Sequence, residues 1–323
     1  MTEHQRLIAR QLEHLERNPA IMVPKILLLG KDGQVGWELQ RALAPLGEVI
    51  ACNRHEADLE QPETLRQLVR TTMPQIVVNA AAYTAVDRAE SEPERATRIN
   101  AESVGVLAEE VKRLNGWLVH YSTDYVFDGN KDGAYLETDI TAPQSVYGAS
   151  KRAGEVAIET SGCKHLILRT SWVFATRGQN FAKTMLRLAR DREELKVVCD
   201  QIGAPTSAEL IADVTALALH RLSYDNQLAE HASGTYHLVA AGETSWHGYA
   251  QFVIAEALRH GAELKTTPER VHPISTAEYP LPASRPASSR LNTQKLRDTF
   301  GVTLPSWQTH VQRMIAEIIQ TGT

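Results

Sequence analysis

This chain has few of the features that mark a specialised environment. Its cysteines, Cys52, Cys163 and Cys199, are scattered, odd in number and without C-x-x-C spacing. Such a set neither frames a disulfide scaffold nor suits a zinc site, and it fits a reducing cytoplasm. Long apolar runs are missing too: Ile26–Leu29 is far too short to cross a bilayer. The N-terminus has no apolar core followed by a small-residue cleavage site, so no secretion is expected. Positive charge is not in excess, since 34 Lys and Arg stand against 39 Asp and Glu for a net charge of −5. That balance argues against nucleic acid as a partner but leaves room for a small anionic ligand, which needs only local positive groups.

What is present is ordinary globular material: 323 residues, 43% of them hydrophobic, enough for one large domain or two modest ones. Residues 1–24 read as an N-terminal extension, with Leu7, Ile8, Leu12 and Leu15 at helix-like spacing before Pro24. From Lys25 the pattern alternates. The spacing predicts strands over Lys25–Leu29, Val49–Cys52, Gln75–Asn79, Trp117–Ser122 and His165–Arg169. Between them it predicts helices over Gln34–Leu46, Pro62–Thr71, Pro93–Asn115 and Tyr147–Thr160. Unbroken apolar strands alternating with helices mean an α/β fold, a Rossmann-like doubly wound parallel sheet covered on both faces. Residues 25–170 would form this NAD(P)-binding domain. Residues 171–323 read as a smaller mixed α/β substrate-binding segment. Its helices are expected near Phe181–Asp191, Ala208–Leu222, Ser245–His260 and Ser306–Ile319, the last packing back on the core, and its strands near Val197–Cys199 and Thr235–Val239.

Between the first strand and first helix lies Gly30-Lys31-Asp32-Gly33-Gln34-Val35-Gly36. Gly30 permits a tight turn, Gly33 a close approach to a pyrophosphate, and Gly36 close helix–strand packing, while the helix start offers free N–H groups. The spacing is G-x-x-G-x-x-G rather than G-x-G-x-x-G. At the end of the second strand, where an acidic residue grips a ribose hydroxyl, stand Asn53 and Arg54, with Asp58 and Leu59 shortly beyond, beside the adenine. An arginine there suits a 2′-phosphate and tilts the cofactor towards NADPH, with NADH still open.

Tyr147 and Lys151 sit at i and i+4, on one face of a helix. A phenol beside a cation makes a general acid. Tyr121-Ser122-Thr123-Asp124 ends the fourth strand, at the edge where open parallel sheets bind ligands, so a hydroxyl there can reach the same oxygen. Asn79-Ala80-Ala81-Ala82-Tyr83-Thr84 ends the third strand with small residues where a cofactor must pass close to backbone.

With these blocks in place, the chain resembles the extended short-chain dehydrogenase/reductase superfamily and, within it, the dTDP-4-dehydrorhamnose reductases. The likeness runs from Lys25 to the C-terminal helix through GKDGQVGWELQRALAPLG, VNAAAYTAVDRAESEP, HYSTDYVFDG, ETDITAPQSVYGASKRAGE, RTSWVF, NFAKTMLRLA, DQIGAPTSAEL and RPASSRLNT. It implies NADPH-dependent reduction of a C4 keto group on a nucleotide sugar in dTDP-rhamnose biosynthesis, with Tyr147, Lys151 and Thr123 as the catalytic set. It also implies a cofactor wall of Gly33, Gln34, Val35, Ala82, Tyr83, Thr84 and Tyr121. Substrate contacts would come from Thr123, Asp124, Tyr147 and Trp172, with Arg285 and Arg290 clamping the diphosphate and Asn180 assisting. Glu38, Glu209 and Glu317 would hold Mg²⁺ at a subunit contact of a homodimer. Two other readings stay open: a different nucleotide-deoxysugar 4-ketoreductase, and a non-enzymatic dinucleotide-binding subunit of the methionine adenosyltransferase type.

Overall fold

The five apolar runs expected as strands between Lys25 and Thr170 become neighbours in one sheet, which a sixth strand from the second half of the chain completes. The computed structural model describes residues 23–321, so the expected N-terminal helix lies outside the described residues. The strands are β1 (Lys25–Leu29), β2 (Glu48–Cys52), β3 (Ile76–Asn79), β4 (Trp117–Thr123), β5 (Lys164–Thr170) and β6 (Gly234–His237). They lie in the order β2-β1-β3-β4-β5-β6, and every pairing is parallel. The order reverses between β1 and β3, which opens a crevice beyond their carboxyl ends. The fold is Rossmann-like, as its parallel order and crossover helices require.

Helices cover both faces, as a parallel sheet with apolar strands demands. On one side α2 (Pro62–Thr72), α3 (Ser103–Arg113) and α4 (Val146–Ser161) close over Leu27, Leu29, Val77, Leu118 and Ile167. On the other, α1 (Gln34–Leu43), α5 (Phe181–Asp191), α6 (Ala208–Tyr224), α7 (Trp246–Arg259) and α8 (Trp307–Thr321) close over Ile26, Leu28, Val78, Val119 and Leu166. Side-chain caps fix the starts of several: Ser145 accepts from Gly148 N, Asn180 from Lys183 N, Ser207 from Leu210 N and Ser245 from Gly248 N. Each such cap contributes about 1 kcal/mol. Among the described residues, no helix is long and apolar enough to cross a membrane.

Three departures from the expected elements bear on the site. The helix expected over Pro93–Asn115 is interrupted by a π-turn at Arg98–Glu102, between Pro93–Thr97 and α3. The extra residue swings Asn100 inward, where its amide bonds Tyr83 N, Tyr83 O and Ser150 Oγ at 2.9, 3.1 and 3.0 Å. The strand expected near Thr235–Val239 pairs with β5 as β6, so both halves of the chain share one core. Finally, the Pro-, Ser- and Ala-rich stretch Pro268–Ser289 supplies a strand with no counterpart among the expected ones, Val271–Ile274, that pairs in parallel with Leu195–Val198. Helices Asn226–His231 and Gln294–Phe300 were too short to show a period.

Helix α4 is seated unusually close to its neighbours. A Cβ on Gly148 would lie 2.2 Å from the Tyr125 carbonyl oxygen, and one on Gly154 would lie 2.1 Å from that of Asn100. Beside Gly154, Glu155 is fully buried and accepts two bonds from Arg169 of β5, Nε at 2.8 Å and Nη2 at 2.7 Å. Arg152 adds a third at 3.1 Å. Removing the carboxylate leaves a buried guanidinium without its partner, which typically costs about 3–5 kcal/mol. Glu155→Ala should lose stability on that scale in urea unfolding; an unchanged midpoint would show that the pair does not hold the helix.

Candidate active site

The glycine loop leaves β1 at the switch point. Gly30 takes φ +86°, and its N–H and that of Lys31 donate to the Cys52 carbonyl at 2.9 and 3.1 Å. A side chain at Gly30 would strike the Ala81 backbone at 2.8 Å, and one at Gly36 would lie 2.0 Å from the Gly30 oxygen. Gly33 is the N-cap of α1 and brings no capping side chain, so the amides of Gln34, Val35 and Gly36 remain for an anion. Asn180 is drawn to this loop: besides capping α5 it donates to Gln34 Oε1 at 3.3 Å.

At the end of β2, Asn53 Oδ1 accepts from the backbone of His55 and Glu56 at 3.0 and 3.2 Å. The turn folds Glu56 back, so its carboxylate accepts from Asn53 N and from Lys31 Nζ, both at 2.7 Å. A carboxylate from three residues later thus lies beside Asn53, a proximity that a linear pattern search misses. Arg54 is exposed and paired with Glu60, with Asp58 Oδ1 at 3.6 Å. Leu59 is buried and its carbonyl is held by Ser103. Beyond the end of β3, Tyr83 is fixed by Asn100 and by a 2.9 Å bond from its hydroxyl to Glu92, with Ala82 and Thr84 on either side.

Where β4 ends, the expected catalytic groups converge. Thr123 is the hydrogen-bonding neighbour of the Tyr147 phenol, and its own hydroxyl donates to Asp124 Oδ1 at 3.0 Å. Burial pushes the Tyr147 phenol up to about 12. It also raises the Asp124 carboxyl to about 6, one oxygen of which has no partner. Lys151 is 2% exposed and donates to the Tyr121 carbonyl at 2.7 Å. Burial lowers its ammonium to about 8, against the opposing pull of Glu155. His120 lies 3.0 Å from Lys151 Nζ through Nε2 and 3.2 Å from Asn79 through Nδ1. Burial, with the Lys151 charge added, holds its pKa well below the usual imidazole range. Its sequence context, one histidine in an apolar strand, carried no signal. The Tyr121 hydroxyl is tied to Thr215 of α6 at 2.8 Å.

The two arginines part company. Arg285 stands over the Tyr125 ring at 6.0 Å, and Tyr125 meets Tyr147 edge-on at 5.6 Å. It pairs with Asp87 at 2.8 Å and keeps one buried nitrogen, Nη1, without a partner. Arg290 instead pairs with Glu243 at 2.8 Å and faces a groove of about 650 Å³ whose lining includes neither Thr123 nor Tyr147. Trp172 lies just past the end of β5, in left-handed backbone at φ +49°. For a non-glycine residue this costs on the order of 1–3 kcal/mol.

Glu38, Glu209 and Glu317 do gather, lining one small pocket with His310 and Arg313. Arg41 and Arg313 stand 3.5 Å from Glu38 and Glu209, and Thr176 donates to Glu317 at 3.1 Å. Burial, then Glu209, raises the Glu38 carboxyl. Among the described residues no group of three His, Cys, Asp or Glu side chains is placed to hold a metal ion, so the Mg²⁺ site expected on these glutamates has no support here.

A family model described as the RmlD substrate binding domain matches residues 24–320. The chain belongs to that family. Among its curated relatives is the dTDP-4-dehydrorhamnose reductase of Escherichia coli K12, 53% identical over 92% of this chain and 98% of the relative. The dTDP-4-dehydrorhamnose reductase of Burkholderia thailandensis is 51% identical over 91% of this chain and 99% of its own. A crystal structure of dTDP-4-dehydrorhamnose reductase from Bacillus anthracis in complex with NADP superposes with a TM-score of 0.81 at 34% identity, covering 92% of this chain and all of that one.

The unusual group in this family member's site is the buried lysine. Titration of its lysine amines by ¹³C NMR should show one group with a midpoint near pH 8, below the ordinary value of about 10.4. Lys151→Met should remove that signal. A full set of ordinary lysine titrations would contradict the arrangement.

Proposed function

We propose that this protein reduces the C4 carbonyl of dTDP-4-dehydro-β-L-rhamnose to give dTDP-β-L-rhamnose, using NADPH. The observation that carries the reading is the convergence of Tyr147, Lys151 and Thr123 at the carboxyl end of β4, beside the switch-point crevice. Relatives named for this reaction, at half identity over nearly the whole chain, support the choice of substrate. The cradle fits a dinucleotide: glycines where a Cβ would meet backbone, an uncapped helix start, and basic side chains at the second strand's end. Residues 25–170 would serve the cofactor and 171–323 the nucleotide sugar.

The cofactor, when bound, supplies the hydride to C4. Tyr147 is still a phenol at neutral pH and gives its proton to the C4 oxygen as that oxygen gains charge. Lys151 supplies the positive charge that steadies the phenolate left behind, and it does so in a water-poor site where such a charge acts strongly. The Thr123 hydroxyl, which donates its one proton to Asp124 in the resting site, becomes the donor for the same carbonyl oxygen when it rotates that proton towards the substrate. Arg285, with its unpartnered nitrogen beside Tyr125, is the better placed of the two arginines to meet a diphosphate. Trp172 borders the sugar. The three glutamates near His310 take no part in this chemistry.

The test supplies NADPH with the nucleotide 4-keto-6-deoxy sugar before and after epimerisation. The epimerised sugar should be reduced faster, and Tyr147→Phe should lower that rate by about 10²–10⁴-fold while still binding cofactor. Equal rates on the two sugars would replace this reading with a less selective deoxysugar 4-ketoreductase. For the cofactor, the exposed Arg54 can leave its half-buried partners for a 2′-phosphate, and a charge-assisted bond adds about 1.5–3 kcal/mol, roughly 10–150-fold. NADPH should therefore outperform NADH in kcat/KM, and Arg54→Ala should narrow the gap; an unchanged ratio would exonerate Arg54.

A further inference from the structure

A left-handed backbone under a tryptophan persists only where its surroundings hold it. Two contacts hold Trp172. Its indole stacks on that of Trp246, with centroids 3.6 Å apart and planes 14° from parallel. Gly203 lies against the ring fusion and benzo edge, where a Cβ would come within 2.8 Å of Trp172 Cε2 and 3.0 Å of Cζ2. Trp246 is itself immobilised. It opens α7 directly after the Ser245 cap, its Nε1 donates to Gln201 Oε1 at 3.1 Å, and Phe181 of α5 packs on it with centroids 4.6 Å apart. Gln201 is anchored in turn on Thr276 at 3.0 Å.

This scaffold leads to the reacting groups. Thr170, two residues before Trp172, is the register partner of Thr123. Gly203 also meets Ser289, which bonds Asp124, the neighbour of Thr123. Both indoles are only partly buried. A ring that merely filled the core would need neither the left-handed backbone nor a glycine cut away beneath it.

We propose that Trp246 is a positioning residue for the sugar: it holds the strained Trp172 indole against Gly203, so that the sugar ring is held at a fixed angle to Thr123 and Tyr147. Trp246 acts through Trp172 and contacts no reacting atom. The proposal rests on the reductase reading above, with Trp172 as a sugar contact. The nucleotide end of the substrate is recognised elsewhere, so dTDP alone should not sense the stack.

Closely stacked indoles couple their transitions, and the wild-type protein should show an exciton couplet in far-ultraviolet circular dichroism that Trp246→Leu abolishes. In that variant kcat should fall by about 10–100-fold, the scale of a small misplacement of the reacting groups. The Kd for dTDP should stay within about twofold, since interactions with the nucleotide are untouched. Trp246→Phe should restore part of the rate. Gly203→Ala, which presses on the same indole at its ring fusion and benzo edge, should reproduce the loss of kcat with dTDP binding kept, and it carries the test if Trp246→Leu does not fold. A variant that loses the couplet yet keeps wild-type kcat overturns the proposal, as does a parallel loss of kcat and dTDP affinity. A wild-type protein that shows the couplet but reduces no dTDP-keto sugar would overturn the reductase reading and take this proposal with it.

Discussion

The seat of helix α4 on the sheet governs most of what the site can do. Tyr147 and Lys151 lie in its first two turns, so any tilt of the helix moves both groups away from Thr123. Two glycines allow backbone to touch backbone at Tyr125 and Asn100, and the buried pair of Glu155 with Arg169 locks the rotation about the helix axis. A fully buried carboxylate is tolerable because three guanidinium bonds satisfy it. The same carboxylate sits one turn beyond Lys151 and is the charge that opposes its loss of a proton. One interaction therefore serves both the geometry and the electrostatics of the chemical centre.

Burial acts on the three titratable groups in different directions. It raises the Tyr147 phenol and the Asp124 carboxyl and lowers the Lys151 ammonium, because in each case the charged form is the one penalised. At neutral pH the site therefore holds a neutral Tyr147 phenol together with a Lys151 ammonium and an Asp124 carboxylate, each shifted part of the way towards its uncharged form. Around this centre the polar chain of Ala81 N–H, Asn79 and His120 gives Lys151 a fixed orientation.

The parallel sheet, its first five strands, the glycine loop and the pairing of Tyr147 with Lys151 on one helix were legible in the sequence because each rests on a local pattern: apolar runs of strand length, glycines between strand and helix, an i,i+4 pair. What escaped notice depends on distance in space rather than in sequence. Asn100 turns inward only because a π-turn interrupts a helix whose periodicity looks continuous. Glu56 reaches Asn53 N by a turn that no spacing rule encodes. Arg285 and Arg290 bracket one loop and read as a pair, yet Asp87 holds the first beside Tyr125 while Glu243 draws the second to another groove. Trp246 is an ordinary helix-opening aromatic until its stack with Trp172 is seen.

Strand β6 has a consequence for how the chain comes into being. It follows β5 by more than sixty residues, with α5 and α6 in between. During synthesis β5 therefore waits as an unprotected sheet edge, carrying a buried-type arginine, until Gly234–His237 emerges to pair with it. An edge left open in this way invites pairing with the wrong strand, from the same chain or another. The first 170 residues hold the glycine loop and the Tyr147–Lys151 pair, yet they do not complete the sheet by themselves. The nascent protein commits to its native form only when most of the polypeptide has been made.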